Sequence, residues 1–377
     1  AYDFVDQLEK AGQQYWQILP LGPTGYGDSP YQSVSTFAGN PYFIDLETLI
    51  DKKLLTKEEC ESCDWGGSES YVYYEKMYLS RYKLLRKAYE RADLKNDPDY
   101  AVFLKKEKDW LLDYCLFMAI KNAQNGKCWI DWPEELKDRH SKAVKEAEKE
   151  LAEEVGFYSF QQYCFTTQWN KLKEYANEKG IQIIGDVPIY VALDSSDAWA
   201  NPEMLQFDED YNPKAVAGCP PDAFSAIGQL WGNPLYDWKK LKKDNYGWWV
   251  QRMSHSLKLY YVVRIDHFRG FDKYYAIPYG DETAENGEWE KGPGMELFRA
   301  LHKEIKELRV IAEDLGFLTE SVLEMLKESG FPGMKVLQFA FDGSEDSSYL
   351  PYKYDSNCVV YTGTHDNETT KANCNTF

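Results

Sequence analysis

Three short stretches place acidic side chains where a carboxyl group can do chemistry. Val262-Val263-Arg264-Ile265-Asp266-His267-Phe268-Arg269-Gly270 opens with β-branched apolar residues and ends in a polar cluster before a glycine. A buried strand that delivers side chains at its C-terminal end has this pattern. Side chains two apart on a strand share a face, so Arg264 and Asp266 point the same way. A guanidinium beside a carboxylate lowers the acid's pKa, so Asp266 is expected to stay ionised, as a nucleophile should. Taken alone, a structural Arg–Asp pair reads equally well. Two further strand-like runs break the tie: Arg309 to Gly316 carries Glu313-Asp314, and Val359 to Asn367 carries His365-Asp366.

Two carboxylic acids in different environments, flanking one bond, are the equipment of glycoside transfer. Asp266 would be the nucleophile. Glu313 follows apolar Ile311 and Ala312 and has no basic residue in the next five, so burial would raise its pKa and suit it to acid/base work. Asp366, beside His365, would brace the transition state. His267 and His365 each abut one of these acids and are two of only five histidines.

Such acids need strands to hold them at one end, which is how a (β/α) barrel builds a site. Six strands are expected, at 15–21, 181–190, 261–268, 309–315, 334–341 and 357–365. Helices are expected at 2–11, 157–179, 295–308 and 319–329. Helix followed by strand, repeated, is the grammar of an α/β fold. The expectation is a (β/α)8 TIM-type barrel with large insertions, residues 1–377 forming a single interrupted domain. A closed barrel has eight strands, so the first and last are expected outside this chain. Residues 45–156 read as a helical insertion of charged, amphipathic segments without catalytic residues. Residues 192–260 read as an irregular substrate-loop insertion, and loops of that length are usually functional. Pro278–Gly294 reads as a Gly-rich loop, and Lys371–Phe377 as neither helix nor strand. Gly22 to Gln32 is dense in Gly and Pro, a rigid loop displaying Tyr26, Asp28, Ser29 and Tyr31 for binding.

Bulk properties narrow the partners. A net charge of -19 repels phosphate backbones and anionic lipid, which argues against nucleic acid and membranes and for a neutral substrate. No apolar run approaches the roughly 20 residues of a membrane span. The eight cysteines are mostly isolated. Cys60-Glu61-Ser62-Cys63 has no second pair or histidine at a useful distance, so no metal is expected there. Reduced thiols and no visible secretory leader suggest a cytoplasmic protein.

Several of these stretches together resemble the 4-α-glucanotransferases, the amylomaltase or disproportionating-enzyme family among the α-amylase-type barrels. The matching runs are Leu19 to Gln32, Gly185-Asp186-Val187-Pro188-Ile189, Gly228 to Tyr236, Arg264 to Gly270, Ala312 to Gly316 and Gly363-Thr364-His365-Asp366-Asn367. The resemblance implies Asp266 as nucleophile, Glu313 as acid/base and Asp366 as transition-state stabiliser. It implies Asp186, Arg264, His267 and His365 around the reacting sugar, and Tyr26, Ser29, Tyr31, Gln229, Trp231 and Asn233 along the glucan. Asp28 and Phe224 complete the expected binding set. Family members often carry an aromatic pair after Pro-Pro-Asp, where this chain has Ala223-Phe224. The implied substrates are α-1,4-glucans and malto-oligosaccharides, with no cofactor or metal. The implied reaction is transfer to a sugar 4-hydroxyl through a glucosyl-enzyme intermediate. The carboxylates alone leave two alternatives open: an α-1,4-glucan hydrolase, and a glucan-binding but inactive fragment.

Overall fold

The structure is a computed structural model, and it describes every residue except 26, 223–224, 317, 342–346 and 375–377. The chain folds into two units. One comprises Ala1–Gln182, Tyr190–Val216 and Trp231–Asp237; the other comprises Ile183–Ile189, Ala217–Leu230 and Trp238–Phe377.

In the first unit, α1 (Tyr2–Lys10) carries Asp3 in its first turn and Lys10 in its last, complementing the helix dipole. It buries Val5, and Phe4 packs edge-on against Trp16 at 5.1 Å. Strand β1 (Tyr15–Gln17) is shorter than expected and is not buried, Tyr15 being 50% exposed. It is the end strand of its sheet among the described residues. The expected helical insertion holds α2 (Leu46–Asp51), α3 (Lys57–Glu61), α4 (Tyr74–Arg91), α5 (Pro98–Lys106), α6 (Leu111–Ala123), α7 (Glu134–Lys137) and α8 (Lys142–Glu150). Asp45, Thr56, Asp97 and Ser141 cap four of these with side-chain oxygens, each cap contributing about 1 kcal/mol. The long α9 (Ala152–Glu178) buries Phe157, Tyr158, Phe160 and Phe165, and α6 buries Tyr114, Phe117 and Ile120. Its chain leaves the helix through Gly180, whose φ of 75° only glycine takes without strain.

That core also fixes the chain just past the Gly/Pro loop. The Gln162 amide accepts from the Gly39 N–H at 2.7 Å and donates to its carbonyl at 2.9 Å. Asp197, in α10 (Ser196–Ala200), accepts from the Thr36 N–H and hydroxyl, both at 2.8 Å. A buried carboxylate and amide so placed leave residues 36–39 little freedom.

Strand β2 (Gln182–Val187) follows α9. The stretch read as irregular carries, besides α10, β3 (Ala215–Cys219), β4 (Gln229–Pro234), α11 (Trp238–Lys243) and α12 (Gly247–Leu259). In the second unit β2 pairs in parallel with β5 (Val262–Ile265), Asp186 opposite Arg264. After β5 come an antiparallel hairpin, β6 (Lys273–Pro278) and β7 (Glu288–Lys291), then α13 (Met295–Glu304). Strand β8 (Val310–Ala312) pairs in parallel with β5. Beyond α14 (Glu320–Ser329) lie β9 (Gly333–Val336) and β10 (Cys358–Tyr361), also parallel. The Ala312 N–H reaches the Pro332 carbonyl at 2.9 Å, carrying the ladder toward β9. Ile184, Ile311 and Met334 form a buried cluster with Val262, Leu315, Val359 and Tyr361 packed on it.

Two expectations are corrected. Pro278–Gly294 contains β7, whose Glu-Trp-Glu-Lys is exposed at every position and so lacks the apolar alternation that marks a strand. Residues 370–374 form a short helix, α15 (Thr370–Cys374), where no helix was read.

Candidate active site

The second unit holds the acids, immediately past the C-terminal ends of its parallel strands. The Asp266 N–H bonds to the Val187 carbonyl and the Glu313 N–H to the Ile265 carbonyl, both at 3.0 Å. Each acid therefore continues the ladder by one residue, where side chains leave the sheet.

Arg264 organises the cluster. It is 3% exposed. Its Nη1 donates to both Asp186 oxygens at 2.7 and 2.8 Å, and its Nη2 meets Asp266 Oδ1 at 2.8 Å. Its Nε donates to the Met334 sulfur at 3.4 Å. Burial works against the charge, but Asp186, Asp266 and Glu313 together outweigh it and hold the guanidinium protonated.

The expectation that Arg264 alone would lower the Asp266 pKa is corrected. Burial, with the negative charges of Asp186 and Asp366, outweighs the guanidinium, and the Asp266 pKa rises to about 6. Part of the attraction of Arg264 is already committed to Asp186. The Asp266 side chain nevertheless keeps 30% of its surface accessible, so a reactant can reach it.

Glu313 is pushed up further, to about 7, by burial first and by the Asp266 charge second. Two backbone donors oppose the rise: Leu315 N–H to Oε1 at 2.9 Å and His267 N–H to Oε2 at 2.7 Å. His267 presents that N–H from a left-handed backbone, φ 55°, an uncommon conformation for a non-glycine residue. Burial lowers the pKa of its ring to about 4, with Arg269 contributing, so it is neutral at pH 7. The two acids are thus both raised by burial and interact through their charges, so they titrate as a coupled pair.

Asp366 stands on the turn after β10 with 73% of its side chain exposed. Asn367 Oδ1 accepts from the Thr364 N–H and hydroxyl at 2.9 and 3.0 Å, and the Gln338 amide donates to the Glu368 carbonyl at 2.9 Å. These bonds fix the turn. His365 Nε2 lies 3.4 Å from Asp366 Oδ1. Gln229 is exposed at the start of β4, also in this unit. Among the described residues no cluster could hold a metal ion.

The first unit gathers other expected binding residues. Thr24 donates to Asp28, and Ser29 accepts from the Tyr31 N–H. The Gln32 amide donates to Asn233 Oδ1 at 2.9 Å and the Trp231 carbonyl at 3.2 Å, tying the Gly/Pro loop to both residues. Asn233 donates in turn to the Val191 carbonyl at 2.9 Å, and the Trp231 ring lies 6.3 Å from that of Tyr190. Tyr26 and Phe224 lie outside the described residues. Sequence reasoning missed Gln32 as the brace of this loop, although it closes the Gly/Pro motif. It also missed Met334, which reads as ordinary core in an apolar strand.

Residues 1–375 match the glycoside hydrolase 77 family model, described as 4-alpha-glucanotransferase. A 4-alpha-glucanotransferase of Clostridium butyricum is 53% identical over 372 residues, covering 98% of this chain and 76% of that protein. One from Streptococcus pneumoniae is 49% identical over 371 residues, covering 98% and 74%. Among solved structures, the amylomaltase of Streptococcus agalactiae in complex with acarbose superposes with a TM-score of 0.94 at 40% identity, covering 97% of this chain and 74% of that one. The architecture is therefore the α/β, TIM-barrel type of the amylomaltases, and the chain belongs to the 4-alpha-glucanotransferase family.

Proposed function

We propose that this chain is a retaining 4-α-glucanotransferase in which Asp266, Glu313 and Asp366 carry the reaction. The observation that bears most of the weight is geometric: Arg264 holds Asp266 at 2.8 Å, and the N–H of the next residue, His267, holds Glu313 at 2.7 Å, so two carboxyls raised by burial stand together at the strand ends. The Arg264 guanidinium on Asp266 favours the charge there, and burial favours the proton on Glu313, so the singly protonated pair carries it mainly on Glu313. Protonated Glu313 gives its proton to the glycosidic oxygen while the Asp266 carboxylate attacks the anomeric carbon, and the leaving chain departs with a free hydroxyl. Glu313, now a base, takes the proton from an acceptor 4-hydroxyl, whose oxygen displaces Asp266 and restores the α-linkage. Arg264 fixes the orientation of Asp266, and Asp366 supports the positive charge growing on the ring. The substrates are α-1,4-glucans and malto-oligosaccharides, neutral molecules that suit an acidic surface.

Maltotriose supplies the test. Chromatography should show longer oligosaccharides alongside glucose and maltose; shorter products alone would mean that water intercepts the intermediate. Asp266→Asn should remove transfer by several orders of magnitude, and near-parental turnover in the folded variant would rule out the assigned nucleophile.

A further inference from the structure

The Arg264 side chain has two carboxylate partners and a third that is chemically unlike them. Its Nε points at the thioether of Met334 across 3.4 Å, inside the cluster where Met334 is 1% exposed. A thioether is a weak acceptor. It can occupy a buried donor without competing with Asp186 and Asp266 for the guanidinium. Asp186, Asp266 and Met334 therefore meet the guanidinium from three sides.

The backbone that carries this sulfur is itself held in place. Asp314, 4% exposed, accepts from the Met334 N–H at 2.6 Å. A Cβ on Gly333 would lie 2.7 and 2.8 Å from the two Asp314 oxygens, so this contact requires glycine. Asp314 directly follows Glu313 in the chain. The segment that presents the acid/base thus also sets the strand that seats the arginine of the nucleophile.

We infer that Met334 is a positioning residue for the transfer reaction: its sulfur, on a backbone anchored by Asp314, sets the orientation in which Arg264 meets Asp266. The inference rests on the assignment of Asp266 as nucleophile. The charged and titratable groups facing this arrangement are Asp186 from β2, His267 beyond β5, Glu313 and Asp314 beyond β8, Lys335 on β9 and Asp366 beyond β10.

Met334→Leu keeps the volume and removes the acceptor; Met334→Gln returns an acceptor at similar reach. With a less constrained Arg264, the Asp266 carboxylate loses stabilisation, so its pKa rises. Met334→Leu should lower kcat for maltotriose transfer about tenfold with KM within about twofold, and should displace the acidic limb of the kcat/KM profile to higher pH. Met334→Gln should recover most of both. A second readout is independent of turnover. A buried acid whose folded pKa rises binds protons more tightly in the folded state, so stability falls as pH increases through that window. The Tm deficit of Met334→Leu should therefore be larger at pH 8 than at pH 5. Parental kinetics and a pH-independent Tm difference in Met334→Leu would overturn the inference. So would a Met334→Gln variant no better than Met334→Leu, or two variants that fail to fold, since Met334 would then be a packing residue. Absence of transfer by the parent protein would count against the proposed reaction, and the pH dependence of Tm would still decide the positioning role.

Discussion

At the scale of single residues, the account turns on which of two carboxyls keeps its proton. Asp266 and Glu313 both lie above their ordinary values, burial being the largest cause for each. In the proposed reaction the productive form has Asp266 ionised and Glu313 protonated. The kcat/KM profile should therefore rise as pH passes about 6 and fall as it passes about 7, these apparent values belonging to the pair. Glu313→Gln should abolish the fall on the alkaline side together with most of the rate; a variant that kept the full bell would assign the acid elsewhere. Much of this cluster was legible in the sequence. Arg264 and Asp266 share a face because a strand repeats every two residues, and Glu313 follows an apolar run. The direction of the Asp266 shift was not legible, because it depends first on burial and then on Asp186 and Asp366, which distant segments supply. Nor was the Met334 contact, since a methionine in a strand gives no sign of what its sulfur touches.

At the scale of elements, the strands work by holding their C-terminal residues in register, and small residues permit the close packing this needs. Gly185 precedes Asp186 in β2, and a Cβ there would come within 2.2 Å of the buried Tyr260 ring. Gly185→Ala should destabilise the protein by about 1–3 kcal/mol, as overpacking does, and should lower transfer by shifting Asp186 from Arg264. Urea unfolding checks the first effect; an unchanged midpoint would mean that Tyr260 moves aside freely. All six strands expected from sequence are present, each shorter than expected: β5 and β8 stop just before their acids, while the second half of the run expected at 334–341 turns into a 3-10 helix, Leu337–Phe341. The strands that were missed, β3, β4, β6 and β7, have other causes. Ala215–Cys219 and Gln229–Pro234 contain glycine or proline, which read as loop, and Lys273–Pro278 sits inside a run dominated by the neighbouring motif.

At the scale of the whole molecule, a formal charge of -19 repels anions and steers cations within about a Debye length, whereas encounter with an uncharged sugar is nearly indifferent to it. The kcat/KM for maltotriose should therefore change less than about twofold between low and physiological ionic strength. A steep dependence would point to an ionic substrate. The shared covalent chemistry can be examined on the protein itself. If Asp266 bonds to the sugar, incubating the Glu313→Gln variant with an α-maltosyl fluoride, whose fluoride leaves without acid assistance, should accumulate a glycosyl-enzyme. Mass spectrometry of its peptides should place the added sugar on Asp266. A label on another residue, or turnover to a product of inverted anomeric configuration with no label, would contradict the retaining mechanism.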